Sequence, residues 1–253
     1  MIGALGVYIT KDLHLSSSQK GLLVAIPILS GSAARIVIGA ISDRWSMKGA
    51  GYITITCAAA ALVLGATVAH GYQALLGVGV LLGVSGASFA VALPMASRWF
   101  PPERQGLALG VAGAGNSGTV IATFFAPRIA ASAGWQATML LALIPLALMT
   151  VVWTVLARDS PRKVAPNHMS KVLAVPDFWL LAMVYSVTFG GFVGLTSFVP
   201  IFLNSEYHVK AVDAGMITAA AAFLGSTFRP LGGVVSDRFT GRGTSMVILG
   251  IVL

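Results

Sequence analysis

Charged residues are scarce in this chain, and those present lie mainly between long apolar stretches. Only 9% of the 253 residues are charged and 57% are hydrophobic, and the mean hydropathy is +0.87. A soluble domain carries about 25% charged residues, so this chain has too few to cover a water-exposed surface. Because stretches long enough to cross a bilayer recur, the sequence predicts an all-α integral membrane protein.

Cysteines and catalytic groupings are also missing. Cys57 is the single cysteine, which excludes a disulfide framework and a cysteine metal site. The sequence has no paired carboxylates, no Cys/His dyad and no metal-ligand cluster, so we expect no enzymatic activity, no metal and no cofactor. The net charge of +8 comes from scattered basic residues, a pattern that argues against nucleic-acid binding.

The apolar stretches predict about seven complete membrane spans and two partial helices. Residues 1–10 rise only about 15 Å as a helix, so they form either a buried cap or the second half of a spanning helix. The polar connection 158–175 divides an N-terminal half, 1–157, from the start of a C-terminal half, 176–253. The expected spans are 21–42, 50–69, 72–97, 105–127, 135–157, 178–203 and 211–235, followed by a partial helix at 244–253.

A long repeat relates the two halves. The stretch Gly31–Gly49 returns at Gly225–Gly243 with a constant offset of 194 residues. In each copy an arginine, Arg35 or Arg229, lies inside an apolar helix, and a Ser-Asp-Arg cluster follows. Both copies begin on the same side of the membrane, which predicts two parallel halves related by an axis along the membrane normal.

Basic residues are distributed unequally between the two sides of the predicted bundle. Of the sixteen lysines and arginines, ten lie on one side, four on the other and two within spans. Positive residues favour the cytoplasm. We therefore expect the connection 158–175 and both Ser-Asp-Arg clusters to be cytoplasmic.

The clusters that end the two repeat helices resemble a loop motif of the major facilitator superfamily. Residues 39–49 and 233–243 both match Gly-x-x-x-Asp-Arg-x-x-x-basic-Gly. A carboxylate at this place can accept hydrogen bonds from a helix N-terminus or pair with an arginine. Flanking charge without a special role is the alternative. The resemblance implies cytoplasmic gate elements, which are Asp43, Arg44, Lys48, Asp237, Arg238 and Arg242.

Arg35 and Arg229 lie deep inside their predicted spans. Arg35 precedes Arg44 by nine residues, or about 13 Å of helix, and a charge at mid-membrane costs at least about 2.5–3.5 kcal/mol. All eight acidic residues fall in loops or at helix ends. Two guanidinium forks without acidic partners predict an anionic substrate between them. Pairing with backbone carbonyls, or with an acid of a helix absent from this chain, is the alternative.

Glycine recurs every two to five residues between positions 106 and 118, which favours close helix packing in lipid. Asn116 is the one amide in this stretch, and it either joins helices or meets a substrate. The run Gly-x-Gly-Asn-x-Gly at 113–118 resembles the nitrate signature of the nitrate/nitrite porter family, a branch of the same superfamily. Residues 98–106 and 228–238 also resemble that family.

This resemblance implies secondary transport of nitrate and/or nitrite across the cell (inner) membrane by alternating access. Nitrate/nitrite exchange and nitrate–proton symport are both compatible with it. A porter for another small anion and a non-transporting fragment are the alternatives. The family has twelve helices, and we expect an incomplete copy of a protein that is a monomer in the lipid when complete.

Motif positions also imply which residues form the site. The two aromatic residues could otherwise be lipid-facing or core-facing rings. The implied substrate-binding residues are Arg35, Arg229, Asn116, Tyr185 and Phe89, and the implied helix-packing residues are Gly113, Gly115 and Gly118.

Overall fold

The protein is a bundle of helices. The structure is a computed structural model that describes residues 2–69, 71–160, 172–239 and 241–252. No strand occurs in this part of the chain, and short 3₁₀ turns at Pro102–Arg104 and Ala114–Asn116 flank the sixth helix. The helices are α1 (Ile2–Asp12), α2 (Ser17–Arg44), α3 (Met47–Thr67), α4 (Tyr72–Gly86), α5 (Phe89–Arg98), α6 (Gln105–Gly113), α7 (Ser117–Leu141), α8 (Leu143–Leu156), α9 (Pro176–Tyr207), α10 (Ala211–Phe239) and α11 (Gly241–Val252).

Within the described ranges, six segments are long and apolar enough to cross a membrane. One of them, Pro102–Leu156, has 55 residues and would measure about 80 Å as a single helix, far more than one crossing needs. Gly134 interrupts it with a φ of +85°. The two parts correspond to the predicted spans 105–127 and 135–157, so the prediction of a helical membrane bundle is confirmed. The other segments are Ser17–Arg44, Met47–Thr67, Tyr72–Arg98, Pro176–Tyr207 and Ala211–Phe239.

The sequence repeat is also a repeat of backbone geometry. Helices α2 and α10 begin at Ser17 and Ala211, which are equivalent positions at the offset of 194 residues. The turns before them contain His14 and His208, with φ values of 49° and 55°. These two are the non-glycine residues with positive φ in the described ranges. The same left-handed turn therefore ends the preceding helix in both copies.

Helix α1 packs into the bundle rather than lying at its surface. Leu5 and Ile9 are completely buried, and the hydroxyl of Tyr8 donates to the carbonyl of Pro127 in α7 at 2.9 Å. The helix also contacts α2 and α9. With 11 residues, α1 therefore packs between α2, α7 and α9.

The proposed division between halves falls largely outside the described residues. Helix α8 ends at Leu156 and α9 begins at Pro176, while residues 161–171 of the predicted connection are not described. The boundaries 1–157, 158–175 and 176–253 therefore stay a prediction. The predicted partial helix at 244–253 corresponds to α11.

We call the end of the bundle that carries Asp43 and Asp237 the basic end, because most lysines and arginines flank it. The end where α2 and α10 begin is called the opposite end. All eight acidic residues lie in the first or last turn of a helix or outside the α-helices.

Candidate functional site

Two arginines from equivalent positions of the repeat meet at one aromatic ring. The Cζ atom of Arg35 lies 5.0 Å from the ring centroid of Phe189, and that of Arg229 lies 5.4 Å from the same centroid. These distances are within the range of cation–π attraction. Phe189 belongs to α9 and is 8% exposed. Helices α2, α9 and α10 thus bring both guanidinium groups to a single buried ring.

Arg229 is oriented by the break between α6 and α7. With the Asn116 amide oxygen turned toward it, Oδ1 accepts from Nη1 at 2.9 Å and from Nη2 at 3.0 Å. The carbonyl of Gly113 lies 3.5 Å from Nη1, and that of Gly225 accepts from Nε at 3.3 Å. A Cβ at Gly113 would lie 3.3 Å from Arg229 Cδ. The 3₁₀ turn therefore supplies an amide, a carbonyl and the space that fix this guanidinium.

Arg35 is less completely bonded. Its Nε atom is buried and has no hydrogen-bond partner among the described residues. Over the same part of the chain, the one ion pair within 4.0 Å joins Arg98 and Asp43, so neither site arginine has a carboxylate partner. Buried donors are normally satisfied, and an uncompensated charge within a membrane is costly. The site therefore has spare guanidinium donors, which suit a small oxyanion.

The predicted aromatic residues also converge on Phe189. Tyr185 stacks on it, with centroids 5.0 Å apart and an interplanar angle of 15°. Phe89 of α5 is tilted by 35° at 5.7 Å. Phe189 itself was not predicted. Its position four residues after Tyr185, on the same face of one helix, is the sequence signal that could have identified it.

The two equivalent acidic positions of the repeat, Asp43 and Asp237, have different partners. Asp43 forms an ion pair with Arg98, Oδ1 to Nη2, at 2.7 Å. Asp237 instead accepts from the backbone N–H groups of Gly106 and Leu107, both at 2.8 Å. These amides lie at the N-terminus of α6, where a carboxylate is stabilised by unpaired donors and the helix dipole. The two arrangements considered for this motif thus each occur once.

Lys48 contacts its own half of the bundle. Its Nζ donates to the carbonyl of Thr154, near the end of α8, at 2.8 Å. Its backbone N–H donates to Asp159 Oδ1 at 2.8 Å, and Ser46 Oγ donates to the other oxygen of that carboxylate at 2.8 Å. Lys48 therefore joins the start of α3 to the end of α8. Arg44, Arg238 and Arg242 are exposed at the basic end.

The glycines that allow close packing are mostly those that begin the glycine-rich stretch. A Cβ at Gly106 would lie 2.6 Å from the carbonyl oxygen of Gly233, and one at Gly110 would lie 2.6 Å from that of Arg229. At Gly115 and Gly118, an added Cβ would meet no described atom within 4 Å. The structure therefore does not display the packing expected at those two positions. The intervening 3₁₀ turn, with about three residues per turn, changes the phase of the helix there.

Known proteins resemble this chain over most of its length. The family model for the Major Facilitator Superfamily matches residues 1–253. A probable nitrate/nitrite transporter, NarK2, of Mycobacterium tuberculosis is 37% identical over 96% of this chain and 63% of its own length. A nitrite extrusion protein of Bacillus subtilis is 32% identical over 95% of this chain and 61% of its own.

A third relative is a probable nitrate/nitrite antiporter, NarK1, of Thermus thermophilus, which is 33% identical over the whole of this chain and 60% of its own length. The chain thus spans about three fifths of these relatives. They are named as transporters rather than enzymes, in agreement with the expectation of no enzymatic activity. The predicted resemblance to nitrate/nitrite porters is confirmed. With the family model matched over its full length and several membrane-crossing segments, this multi-pass membrane chain belongs to the major facilitator superfamily.

Proposed function

We propose that the protein formed with this chain moves nitrate and/or nitrite across the cell (inner) membrane by alternating access. The observation that carries the proposal is the convergence of Arg35 and Arg229 on Phe189 without any described carboxylate within 4.0 Å. The names of the relatives supply the substrate class. Two cations from symmetric positions can hold one small anion and release it to either side.

Each residue around the two arginines has a proposed role. Planar guanidinium forks donate to the oxygens of a flat oxyanion. Asn116 aims the Arg229 fork, as its two hydrogen bonds indicate. Tyr185, Phe89 and Phe189 enclose the anion with ring surfaces, which keeps water out and strengthens the electrostatic attraction.

The carboxylate of Asp237 is the proposed gate contact. It joins α10 to the first amides of α6, and these helices fall in different predicted halves. Opening the basic end would separate them. Asp43 and Arg98 both belong to the first half, so their ion pair would support the end of α2 through the cycle. By the distribution of basic residues, the basic end and the connection 158–175 face the cytoplasm.

Exchange of nitrate for nitrite fits the site better than proton symport. Proton symport needs a group that binds and releases a proton, such as a carboxylate or a histidine. Among the described residues, the group around Phe189 contains neither; its members are Arg35, Arg229, Phe89, Tyr185 and Asn116. An exchange reaction needs no proton-binding group. Symport would require a proton carrier in another part of the protein or on the substrate itself.

The test is counterflow into proteoliposomes loaded with nitrite or nitrate. We expect Arg35→Lys and Arg229→Lys each to lower nitrate entry by at least about tenfold, because lysine keeps the charge but loses the bidentate fork. Arg104→Lys, at an exposed position outside the site, is the matched control. Normal entry in both site variants would disprove the clamp.

The same preparation separates the remaining alternatives. Stimulation of entry by an imposed pH gradient would favour symport over exchange. Competition by other small anions, at concentrations where nitrite does not compete, would favour a different substrate. An intact but inactive chain would indicate a non-transporting fragment.

A further inference from the structure

Besides Arg35 and Arg229, Arg128 also lies in the interior of a helix, away from its first and last turns, and the proposed transport site does not use it. It lies in α7, six residues before the interruption at Gly134, or about 9 Å along the helix axis. The sequence predicts that Arg128 lies in the connection between the spans 105–127 and 135–157, whereas in the structure the helix continues past it. Its position is near the opposite end of the bundle, because it contacts Met216 close to the start of α10.

The guanidinium of Arg128 is held in place without being neutralised. Its Cζ lies 3.7 Å from the ring centroid of Phe124, and Nη1 donates to the carbonyl of that residue. Nη2 contacts the thioether sulfur of Met216 at 3.8 Å, and sulfur is a weak acceptor. In the described part of the chain, no carboxylate lies within 4.0 Å. Several of its five N–H donors therefore have no strong acceptor.

The residues around Arg128 form an exposed apolar surface. On α7, Ile121 and Phe125 are 62% and 52% exposed, and on α10, Met216 and Ile217 are 45% and 49% exposed. Such a surface is suited to contact with lipid chains. Ile121 and Phe125 lie seven and three residues before Arg128, so all three share one side of α7. Arg128 is thus a cation beside an exposed apolar surface.

Arg128 also lies at the contact between α7 and α10. Gly215, next to Met216, packs so closely on α7 that a Cβ there would lie 2.5 Å from the Thr123 carbonyl oxygen and 2.8 Å from Pro127 Cγ. The guanidinium touches residues of both helices beside this contact. An anion bound to it would therefore lie across the α7–α10 contact.

We propose that Arg128 binds the phosphate of a phospholipid headgroup at the membrane-facing side of the α7–α10 contact. The headgroup region is the nearest source of an oxyanion for an arginine on this surface, and long basic side chains near helix ends extend toward it. The acyl chains would cover Phe125 and Ile217. This site lies apart from the transport residues, and it requires neither substrate nor transport.

Native mass spectrometry of the detergent-purified chain tests the site, with phosphatidylglycerol as the probe. We expect Arg128→Gln to weaken retention of the lipid by about tenfold, because a charge-assisted hydrogen bond is lost. Arg128→Lys, which keeps the charge, should retain at least part of the binding. Lys20→Gln removes one charge from α2 at the same end and should leave retention unchanged.

Three results would overturn the proposal. Equal retention by the original protein and Arg128→Gln would show that the guanidinium does not hold the lipid. Equal retention of diacylglycerol, which has the chains without the phosphate, would show that the surface binds chains alone. Displacement of the lipid by inorganic phosphate at the same molar excess as a soluble phosphatidylglycerol competitor would assign Arg128 to a water-soluble anion.

Discussion

At the scale of single residues, Asn116 decides how Arg229 presents its donors. The amide oxygen accepts from both terminal nitrogens at 2.9 and 3.0 Å, while Nε is used by the carbonyl of Gly225. An arginine has five N–H donors in a fixed plane. Asn116 therefore leaves at least one donor of Nη2 directed elsewhere, and it does so without bringing in a negative charge.

This neutrality makes Asn116→Asp an informative change. We expect it to weaken nitrate binding by about a hundredfold, since a unit charge about 6 Å from the anion contributes about 3 kcal/mol at an effective dielectric constant of 20. Isothermal titration calorimetry measures the dissociation constant. Asn116→Ala removes the same hydrogen bonds without adding charge, so its effect should be smaller. Equal losses in the two variants would contradict the electrostatic explanation.

The candidate site was predictable from sequence to the extent that its residues carry charge or a motif. Arg35 and Arg229 stand out because a cation inside an apolar helix needs a reason, and Asn116 stands out as the one amide in its stretch. Phe189 had no such signal of its own. It is one of twelve phenylalanines, and beyond its position four residues after Tyr185, only the approach of α2 and α10 to α9 distinguishes its ring from the others.

At the scale of helices, the contact between α6 and α10 depends on missing side chains. Gly106, Gly110 and Gly113 are three or four residues apart, so they share one face of α6. That face lies against Gly233 and the backbone of Arg229. Because backbones without intervening side chains can approach closely, the position of Arg229 relative to Asn116 follows from this contact.

A pair of alanine substitutions tests this packing. Gly110→Ala would place a Cβ 2.6 Å from the Arg229 carbonyl oxygen, and we expect it to destabilise the protein by about 1–3 kcal/mol. Gly115→Ala meets no described atom within 4 Å and should be neutral, or stabilising by up to about 1 kcal/mol. Thermal unfolding in detergent gives the comparison. If both variants lost stability equally, the contact would not depend on this face.

Helix positions were largely predictable, but one interruption was not placed correctly. The sequence predicts a connection at 128–134, between the spans 105–127 and 135–157, because Arg128 and Ser132 lower the hydropathy there. The helix nevertheless continues through Arg128, because its guanidinium is accommodated by Phe124 and Met216. The chain turns only at Gly134, where the φ of +85° favours glycine.

At the scale of the whole molecule, helix α10 contacts the first half of the bundle at both of its ends. At the basic end, α6 meets α10 through Gly106, Gly233 and Asp237. At the opposite end, α7 meets α10 where Gly215 packs on Thr123. The two arginines lie between these contacts. Under the proposed alternating access the two ends would open in turn, so one of these contacts would break in each open state.

Hydrogen exchange can detect the opening at the basic end. The first amides of α6 have no acceptor within their own helix, so their protection should depend on Asp237. We expect Asp237→Ala to speed exchange at Gly106 and Leu107 by at least about tenfold, because each loses its acceptor. Asp43→Ala is the matched control from the other repeat, since Asp43 pairs with Arg98, and it should leave these amides protected. Equal protection in both variants would disprove the gate contact.

The repeat predicted the equivalence of the two halves better than it predicted their differences. The offset of 194 residues gave the shared positions of α2 and α10, and the turns at His14 and His208 repeat the backbone angles. The partners of Asp43 and Asp237 could not be inferred in the same way. Similar segments adopt similar local structure, but the partner of each carboxylate depends on which other helix lies beside it.

The bonds of Asp237 have a consequence for how this family varies over time. Its carboxylate oxygens accept hydrogen bonds from main-chain amides, and every amino acid except proline provides the same N–H donor at position 107. The contact between Asp237 and position 107 should therefore produce no correlated substitutions among homologues. Replacing the side chain of Leu107 in a mutational scan would also leave the contact undetected. The Asp43–Arg98 pair joins two side chains, so a change at one position should be accompanied by a change at the other. Two equivalent carboxylates would thus leave different evolutionary records.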